Sequence, residues 1–138
     1  MARIEGGCLC GSVRYASSAE PVMTAVCHCK HCQKQTGSAF SPLVAVPVES
    51  LQVNRDALSV YNDIGESGLP IKRSFCGRCG SPVLSDAAVM PALTWIKAGT
   101  LDDTSWINPT IHIWCDSAQP WTNISESATK FGRNPPAG

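Results

Sequence analysis

Two cysteines flank a tight turn in the stretch Cys76-Gly77-Arg78-Cys79-Gly80. The glycines beside them accept backbone angles that residues with a Cβ resist, so the turn can close around an ion. A second pair lies in Cys8-Leu9-Cys10, where residues i and i+2 of an extended segment project to the same side. Two such pairs are typical of a four-thiolate zinc site, which holds a fold together.

A third cluster, Cys27-His28-Cys29-Lys30-His31-Cys32, supplies three more cysteines. Spacing alone does not decide which clusters share an ion, so a pair could also combine with this cluster. We favour a closed structural site built from the two pairs. Its ligands would be Cys8, Cys10, Cys76 and Cys79.

The middle cysteines Cys27, Cys29 and Cys32 could then all reach one further zinc ion and leave one coordination position free. A thiol bound at that position would have a lowered pKa and would bind as the thiolate at neutral pH. The alternative is a second structural site with a fourth protein ligand. The candidates for that ligand are His28, His31, His112 and Cys115.

Size and composition indicate one small domain without a dominant charge. The chain has 138 residues, 43% of them hydrophobic, with 11 basic and 11 acidic side chains. A neutral chain gives no electrostatic basis for binding nucleic acid or anionic membranes. No apolar run approaches the roughly 20 residues that cross a bilayer, and the first residues lack an apolar signal-peptide stretch.

We therefore expect a cytoplasmic protein, where thiols stay reduced. Eight cysteines in a reducing compartment favour metal binding over disulfides. A secreted, disulfide-bonded domain is the other interpretation, but the cysteines are more tightly clustered than in a typical disulfide framework.

Glycines and prolines divide the chain into short segments, which predicts a mostly β fold with many turns and little helix. A short helix is predicted over residues 30–36, ending at Gly37. Strands are predicted over residues 12–16, 22–26, 41–48, 58–61, 71–75, 93–98 and 110–114.

Several other residues are candidates for lesser roles. Lys72, Arg73 and Arg78 could receive substrate carboxylates, although solvated surface charge is the simpler interpretation for each. Lys30 and Lys34 could offset the negative charge of the middle cluster, with the same simpler alternative.

Asp102-Asp103 predicts a turn with side-chain-to-backbone bonds rather than acid–base chemistry. His112 is expected to be hydrogen-bonded and structural, or to support the metal site by hydrogen-bonding a metal ligand or by shuttling a proton. Cys115 is expected to be a buried small apolar residue. The tryptophans are expected to pack in the core: Trp95, Trp106, Trp114 and Trp121.

Four ordered stretches carry a family resemblance across residues 5 to about 131. They are residues 6–15, residues 27–38, residues 74–82, and residues 97–103 followed by 109–114 and 120–121. Together they resemble the glutathione-dependent formaldehyde-activating (GFA) family. The resemblance implies sheets of β-tent type held by zinc knuckles, in one zinc-binding domain over residues 1–131. A loose C-terminal tail would follow over residues 132–138.

The resemblance also implies two zinc ions per chain and an enzymatic function. The structural zinc would be held by Cys8, Cys10, Cys76 and Cys79. The catalytic zinc would be held by Cys27, Cys29 and Cys32. The implied activity is that of a carbon–sulfur lyase or synthase, which joins a glutathione-type thiol to a small aldehyde such as formaldehyde or cleaves the S-(hydroxymethyl)glutathione product. The alternatives are a non-catalytic thiol or metal carrier and a structural zinc-binding module.

Overall fold

Residues 4–135 are described by a computed structural model, and within them the chain is mostly β. The strands are β1 (Glu5–Gly7), β2 (Arg14–Ser17), β3 (Met23–Cys27), β4 (Ser41–Pro47), β5 (Leu51–Val53), β6 (Leu58–Ile64), β7 (Pro70–Cys76), β8 (Pro82–Ala87), β9 (Leu93–Lys97), β10 (Ile111–Ile113) and β11 (Thr129–Lys130). The α-helix in this part of the chain is α1 (Lys30–Thr36). Short 3-10 helices cover Val48–Ser50, Arg55–Ala57, Ala98–Thr100 and Cys115–Ser117.

The strands form a small and a large sheet. The small sheet has the order β1-β2-β5, and the large one has the order β11-β10-β3-β4-β9-β8-β7-β6. Most neighbours are antiparallel, but β10 runs parallel to both β3 and β11. In the described part of the chain, no helix combines the length and the hydrophobicity that crossing a membrane would require.

The centre of the large sheet is buried on both faces at β4, and this separates the two groups of cysteines. In β4, Val44 and Val46 pack into a first core cluster, whereas the alternating residues Leu43 and Ala45 pack into a second. The first core cluster contains Ile4, Cys8, Val13, Tyr15, Val44, Val46, Cys76, Val83, Leu84, Ile96, Ala98 and Leu101. The second contains Ala25, Cys27, Cys29, Cys32, Leu43, Ala45, Trp95, Ile113 and Trp114. The two possible metal sites therefore belong to different layers of the core.

The prediction of a mostly β fold with little helix is confirmed. Each predicted strand overlaps an observed one, and α1 covers the predicted residues and ends at Gly37, whose φ of 68° is left-handed. Four strands, β1, β5, β8 and β11, were not predicted. Three of them have only two or three residues, and β8 begins at a proline and contains serine and aspartate. Pairing with neighbouring strands, rather than local β propensity, explains these elements.

The tryptophan prediction is confirmed for three residues and wrong for the fourth. Trp95 and Trp114 are buried, and Trp106 packs against the first core cluster. Trp121 is 72% exposed, because it lies in a turn after Pro120 and not on a sheet face. Cys115 is only partly buried.

Gly6 lies where the first strand passes closest to its neighbours. It pairs with Tyr15 and forms a bridge to Leu101, and a Cβ at this position would overlap the backbone oxygen of Thr100 and the ring of Tyr15. We expect Gly6→Ala to lower the free energy of unfolding by about 1–3 kcal/mol, because the backbone oxygen cannot move aside cheaply. Urea unfolding would measure the loss. Gly99→Ala is the control, since a Cβ there meets nothing within 4 Å. Equal stability of the two variants would contradict the packing explanation.

Candidate metal centres and active site

The first site brings together the two outer cysteine pairs. The sulfurs of Cys8, Cys10, Cys76 and Cys79 all lie within 4.8 Å of one another. The Sγ of Cys10 lies 3.6 Å from that of Cys8 and 3.7 Å from that of Cys76. A tetrahedral zinc with Zn–S bonds of about 2.3 Å places its sulfurs about 3.8 Å apart, so these four thiols fit that ion. We call this cluster the four-cysteine site.

Backbone N–H groups point at the sulfurs of this site. Val13 N donates to Cys8 Sγ at 3.2 Å, and the N–H groups of Arg78 and Cys79 donate to Cys76 Sγ at 3.3 and 3.4 Å. These bonds offset the negative charge that four thiolates would carry. The turn that makes them possible continues through Gly80, whose φ of 82° favours glycine.

The second site, which we call the three-cysteine site, forms where β3 meets α1. Cys27 ends β3, Cys29 is the N-cap of α1, and Cys32 lies in the first helical turn. Their sulfurs lie within 4.8 Å of one another, and each residue is at most 6% exposed. Hydrogen bonds from Cys27 and Cys29 lower the pKa of the Cys32 thiol, and the positive charges of Lys97 and Arg73 lower it further.

Within the described residues, no fourth cysteine, histidine or carboxylate joins these three sulfurs. None of the candidate histidines His28, His31 and His112 belongs to this group. His28 Nε2 lies 2.9 Å from His112 Nδ1, and His31 Nδ1 lies 2.7 Å from Asp63 Oδ2. Cys115 lies outside both groups of cysteines. The geometry thus matches a three-ligand site with one position open more closely than a closed site.

A cavity of about 80 Å³ adjoins the three sulfurs. A water molecule needs roughly 10–15 Å³ of such space, so the cavity has room for several waters or one small organic group. Its walls are largely apolar and include Leu43, Ile71, Met90, Trp95 and Trp114.

Two buried cations line this cavity. Arg73 is 2% exposed and donates from Nε to Asp63 at 2.9 Å and from Nη1 to Cys32 Sγ at 3.8 Å. Lys97 is 6% exposed and donates from Nζ to Ser41 Oγ at 2.8 Å. Burial lowers the pKa of Lys97, and the charge of Cys32 acts in the opposite direction. Three thiolates with one Zn²⁺ carry a net charge of −1, so these cations make a further anionic ligand acceptable.

Sequence reasoning recognised only part of this arrangement. Arg73 was a candidate for substrate carboxylates, with solvated charge as the simpler interpretation, and the structure instead buries it against Cys32. Lys72 and Arg78 are exposed and line neither the cavity nor the groove described next. Lys97 had no assigned role, although a lysine at the end of the apolar strand Leu93–Lys97 was a usable signal.

A groove of about 470 Å³ lies beside the cavity. We call it the outer groove, and it shares Glu66 and Arg73 with the cavity. Its remaining lining residues are Lys30, His31, Lys34, Gln35, Tyr61 and Asp63. Lys30 and Lys34, predicted to offset the charge of the three-cysteine site, thus line this groove and not the cavity.

The turn predicted at Asp102-Asp103 is confirmed. Asp103 Oδ1 accepts hydrogen bonds from the backbone N and the Oγ of Ser105, at 2.9 and 2.6 Å. Asp102 forms a surface ion pair with Arg14. Neither carboxylate lines the cavity or the outer groove.

The sequence model of one protein family, described as glutathione-dependent formaldehyde-activating enzyme, matches residues 3–117. The chain belongs to this family. A crystal structure of a Rhodobacter sphaeroides protein is similar in fold, with a TM-score of 0.57 and 21% identity over 77% of this chain and 92% of that chain. No curated protein matches the chain.

The match to the glutathione-dependent formaldehyde-activating family ends before one wall of the cavity. Asn134 lines the cavity and accepts a hydrogen bond from Trp114 Nε1 at 2.8 Å. Arg133 lies 5.3 Å from the centre of the Trp114 ring, and Asp116 N donates to the backbone oxygen of Gly132. Residues 132–134 of the predicted tail therefore contact the site, while 136–138 lie outside the described residues. The domain boundary at residue 131 stays a prediction.

Proposed function

We propose that this protein is a zinc-dependent carbon–sulfur lyase or synthase acting on a glutathione-type thiol and a small aldehyde such as formaldehyde. One observation carries the proposal: three buried cysteines converge at a cavity and have no fourth protein ligand among the described residues. Membership of the glutathione-dependent formaldehyde-activating family supports the choice of thiol and aldehyde.

In this proposal the two cysteine clusters have different tasks. The four-cysteine site holds a structural zinc with Cys8, Cys10, Cys76 and Cys79. The three-cysteine site holds the catalytic zinc with Cys27, Cys29 and Cys32. A zinc ion at the second site would lower the pKa of an incoming thiol and supply a metal with one open position.

The chain's own residues prepare the reaction around the substrate sulfur. Arg73 and Lys97 stabilise an anionic sulfur beside the three cysteines, and the apolar walls at Ile71 and Trp95 exclude bulk water. The sulfur attacks the carbonyl carbon, a C–S bond forms, and the π electron pair moves to the oxygen. A proton from solvent then completes the hemithioacetal; the reverse sequence cleaves it. Holding the two reactants together supplies much of the rate gain.

The dimensions of the site fit the proposed substrates. The cavity would hold one small organic group, the CH₂–S end of the thiol joined to a one-carbon aldehyde. The rest of a glutathione-type thiol, with its two carboxylates, would lie in the outer groove near Lys30 and Lys34. All eight cysteines are free, which supports a reducing location such as the cytoplasm.

Metal content and thiol binding provide the first test. Protein purified without chelator should contain about two zinc ions per chain. It should also form S-(hydroxymethyl)glutathione from glutathione and formaldehyde faster than the uncatalysed mixture does. In cobalt-substituted protein, added glutathione should change the visible absorption spectrum, because only an open site can accept a new sulfur ligand.

Other outcomes would point to the alternatives. A spectral change with glutathione but no rate acceleration would indicate a thiol carrier. Two bound metals whose spectra glutathione leaves unchanged would indicate a structural zinc-binding module. One zinc per chain would mean that the three-cysteine site does not hold metal, and the catalytic proposal would be wrong.

A further inference from the structure

Two buried hydrogen-bond donors in the cavity have no partner among the described residues. They are Arg73 Nη2 and Ser85 Oγ, on residues that are 2% and 7% exposed. A third donor, Lys97 Nζ, uses one of its three protons for Ser41. Leaving buried donors unpaired destabilises a fold. Because these donors converge on one cavity, they can bind the acceptor atoms of a ligand that displaces water from it.

Sheet register places these donors together. Arg73 is directly opposite Ser85 on β7 and β8, and Ser85 is opposite Trp95 on β8 and β9. Opposite residues of antiparallel strands share a face, with Cβ atoms about 4.5–5.5 Å apart. Lys97 follows Trp95 by two residues and so projects to the same face. Arg73 also reaches Cys32, which fixes this group of donors beside the three cysteines.

The chemistry of the donors indicates what they would bind. A guanidinium, an ammonium and a hydroxyl together favour an oxygen that carries or develops negative charge. The substrate sulfur already has its place beside the three cysteines. The carbonyl oxygen of the second substrate is an acceptor that these donors can bind, and the small volume of the cavity favours a small carbonyl compound.

We propose that Arg73 Nη2, Ser85 Oγ and Lys97 Nζ form an oxyanion-binding site for the aldehyde oxygen. This inference rests on the proposed function. It specifies that the electrophile attacked by the thiol is a small carbonyl compound, because an alkylating agent has no carbonyl oxygen for these donors to bind. As the C–S bond forms, the π electron pair moves onto the oxygen, which these donors stabilise by hydrogen bonds. The oxygen then takes one proton from solvent, which balances the proton that the thiol released to solvent when it ionised.

Ser85→Ala tests the site with little risk to the fold, because it removes a hydroxyl that has no partner in the free protein. At saturating glutathione we expect kcat/KM for formaldehyde to fall about tenfold or more, as for loss of one donor to a developing oxyanion. Zinc content, glutathione affinity in the cobalt protein and the melting temperature should not fall.

Thr94→Val is the matched control. Thr94 Oγ1 is also buried and has no partner among the described residues. Thr94 precedes Trp95 in the neighbouring strand β9, so its side chain projects to the opposite face of the sheet and does not line the cavity. Its variant should keep the wild-type rate constants.

Each remaining outcome overturns the inference. An unchanged rate in Ser85→Ala, with an active wild-type protein, would refute the oxyanion site while the proposed function stands. A loss of zinc or of glutathione affinity in that variant would assign Ser85 a structural role. An equal rate loss in Thr94→Val would show that the effect is not local to the cavity. A wild-type protein without acceleration would refute both the inference and the proposed function.

Discussion

Cys29→Ser and Cys32→Ser should each lower the rate of S-(hydroxymethyl)glutathione formation at least about 100-fold, toward the uncatalysed rate. Loss of a metal ligand should cost more than the 10–100-fold seen when only an outer partner of a ligand is removed. Each variant should contain one zinc ion per chain fewer than the wild type, as measured by elemental analysis of purified protein.

The Cys29→Ser variant can separate the loss of a metal ligand from damage to the fold. Its Sγ accepts a hydrogen bond from Cys32 N at 3.2 Å and so caps α1. Serine is a good N-cap, so Cys29→Ser should keep the helix while losing the metal ligand. Cys115→Ser is the control, because Cys115 belongs to neither cysteine cluster. A Cys29→Ser protein with full activity and full zinc content would refute the catalytic role of the three-cysteine site.

Cys76→Ser should damage the fold itself. Cys76 is fully buried in the first core cluster, and its sulfur lies 3.7 Å from that of Cys10, across a sequence separation of 66 residues. A structural zinc contributes about 10–16 kcal/mol in zinc-finger peptides, which is comparable to the whole stability of a typical domain, about 5–15 kcal/mol. We therefore expect Cys76→Ser to lose cooperative thermal unfolding, or to be insoluble.

The comparison with Cys29→Ser makes this prediction specific. Circular dichroism melts should show a cooperative transition for Cys29→Ser and none for Cys76→Ser. A chelator that removes both metals should reproduce the Cys76→Ser behaviour in the wild-type protein. If Cys76→Ser melted like the wild type and kept two zinc ions, the structural role of the four-cysteine site would be wrong.

The elements that were predicted depend on neighbours along the chain. The turn of Cys76 and Cys79 and the helix ending at Gly37 follow from spacing and from glycine's conformational freedom. β8 shows the opposite case: its Ser85 and Asp86 weaken the local strand pattern, yet pairing with β7 and β9 makes it a central strand.

The candidate site divides in the same way. The grouping of Cys27, Cys29 and Cys32 was predictable, because cysteines two and three residues apart can reach one ion within a single turn. The pairing of His28 with His112 was not, since it depends on the parallel register of β10 beside β3. Neither histidine joins the three sulfurs in the folded protein.

The amino-acid sequence by itself determined the cysteine clusters, the mostly β class and the family, because each depends on residue type and short-range spacing. Only the tertiary structure decided that Cys8 and Cys10 meet Cys76 and Cys79, and that Arg73, Ser85 and Lys97 surround the remaining three sulfurs. Arg73, Ser85 and Lys97 lie on separate strands, and their convergence follows from sheet register and from burial on both faces of β4. Such long-range contacts leave no periodic signal in the chain.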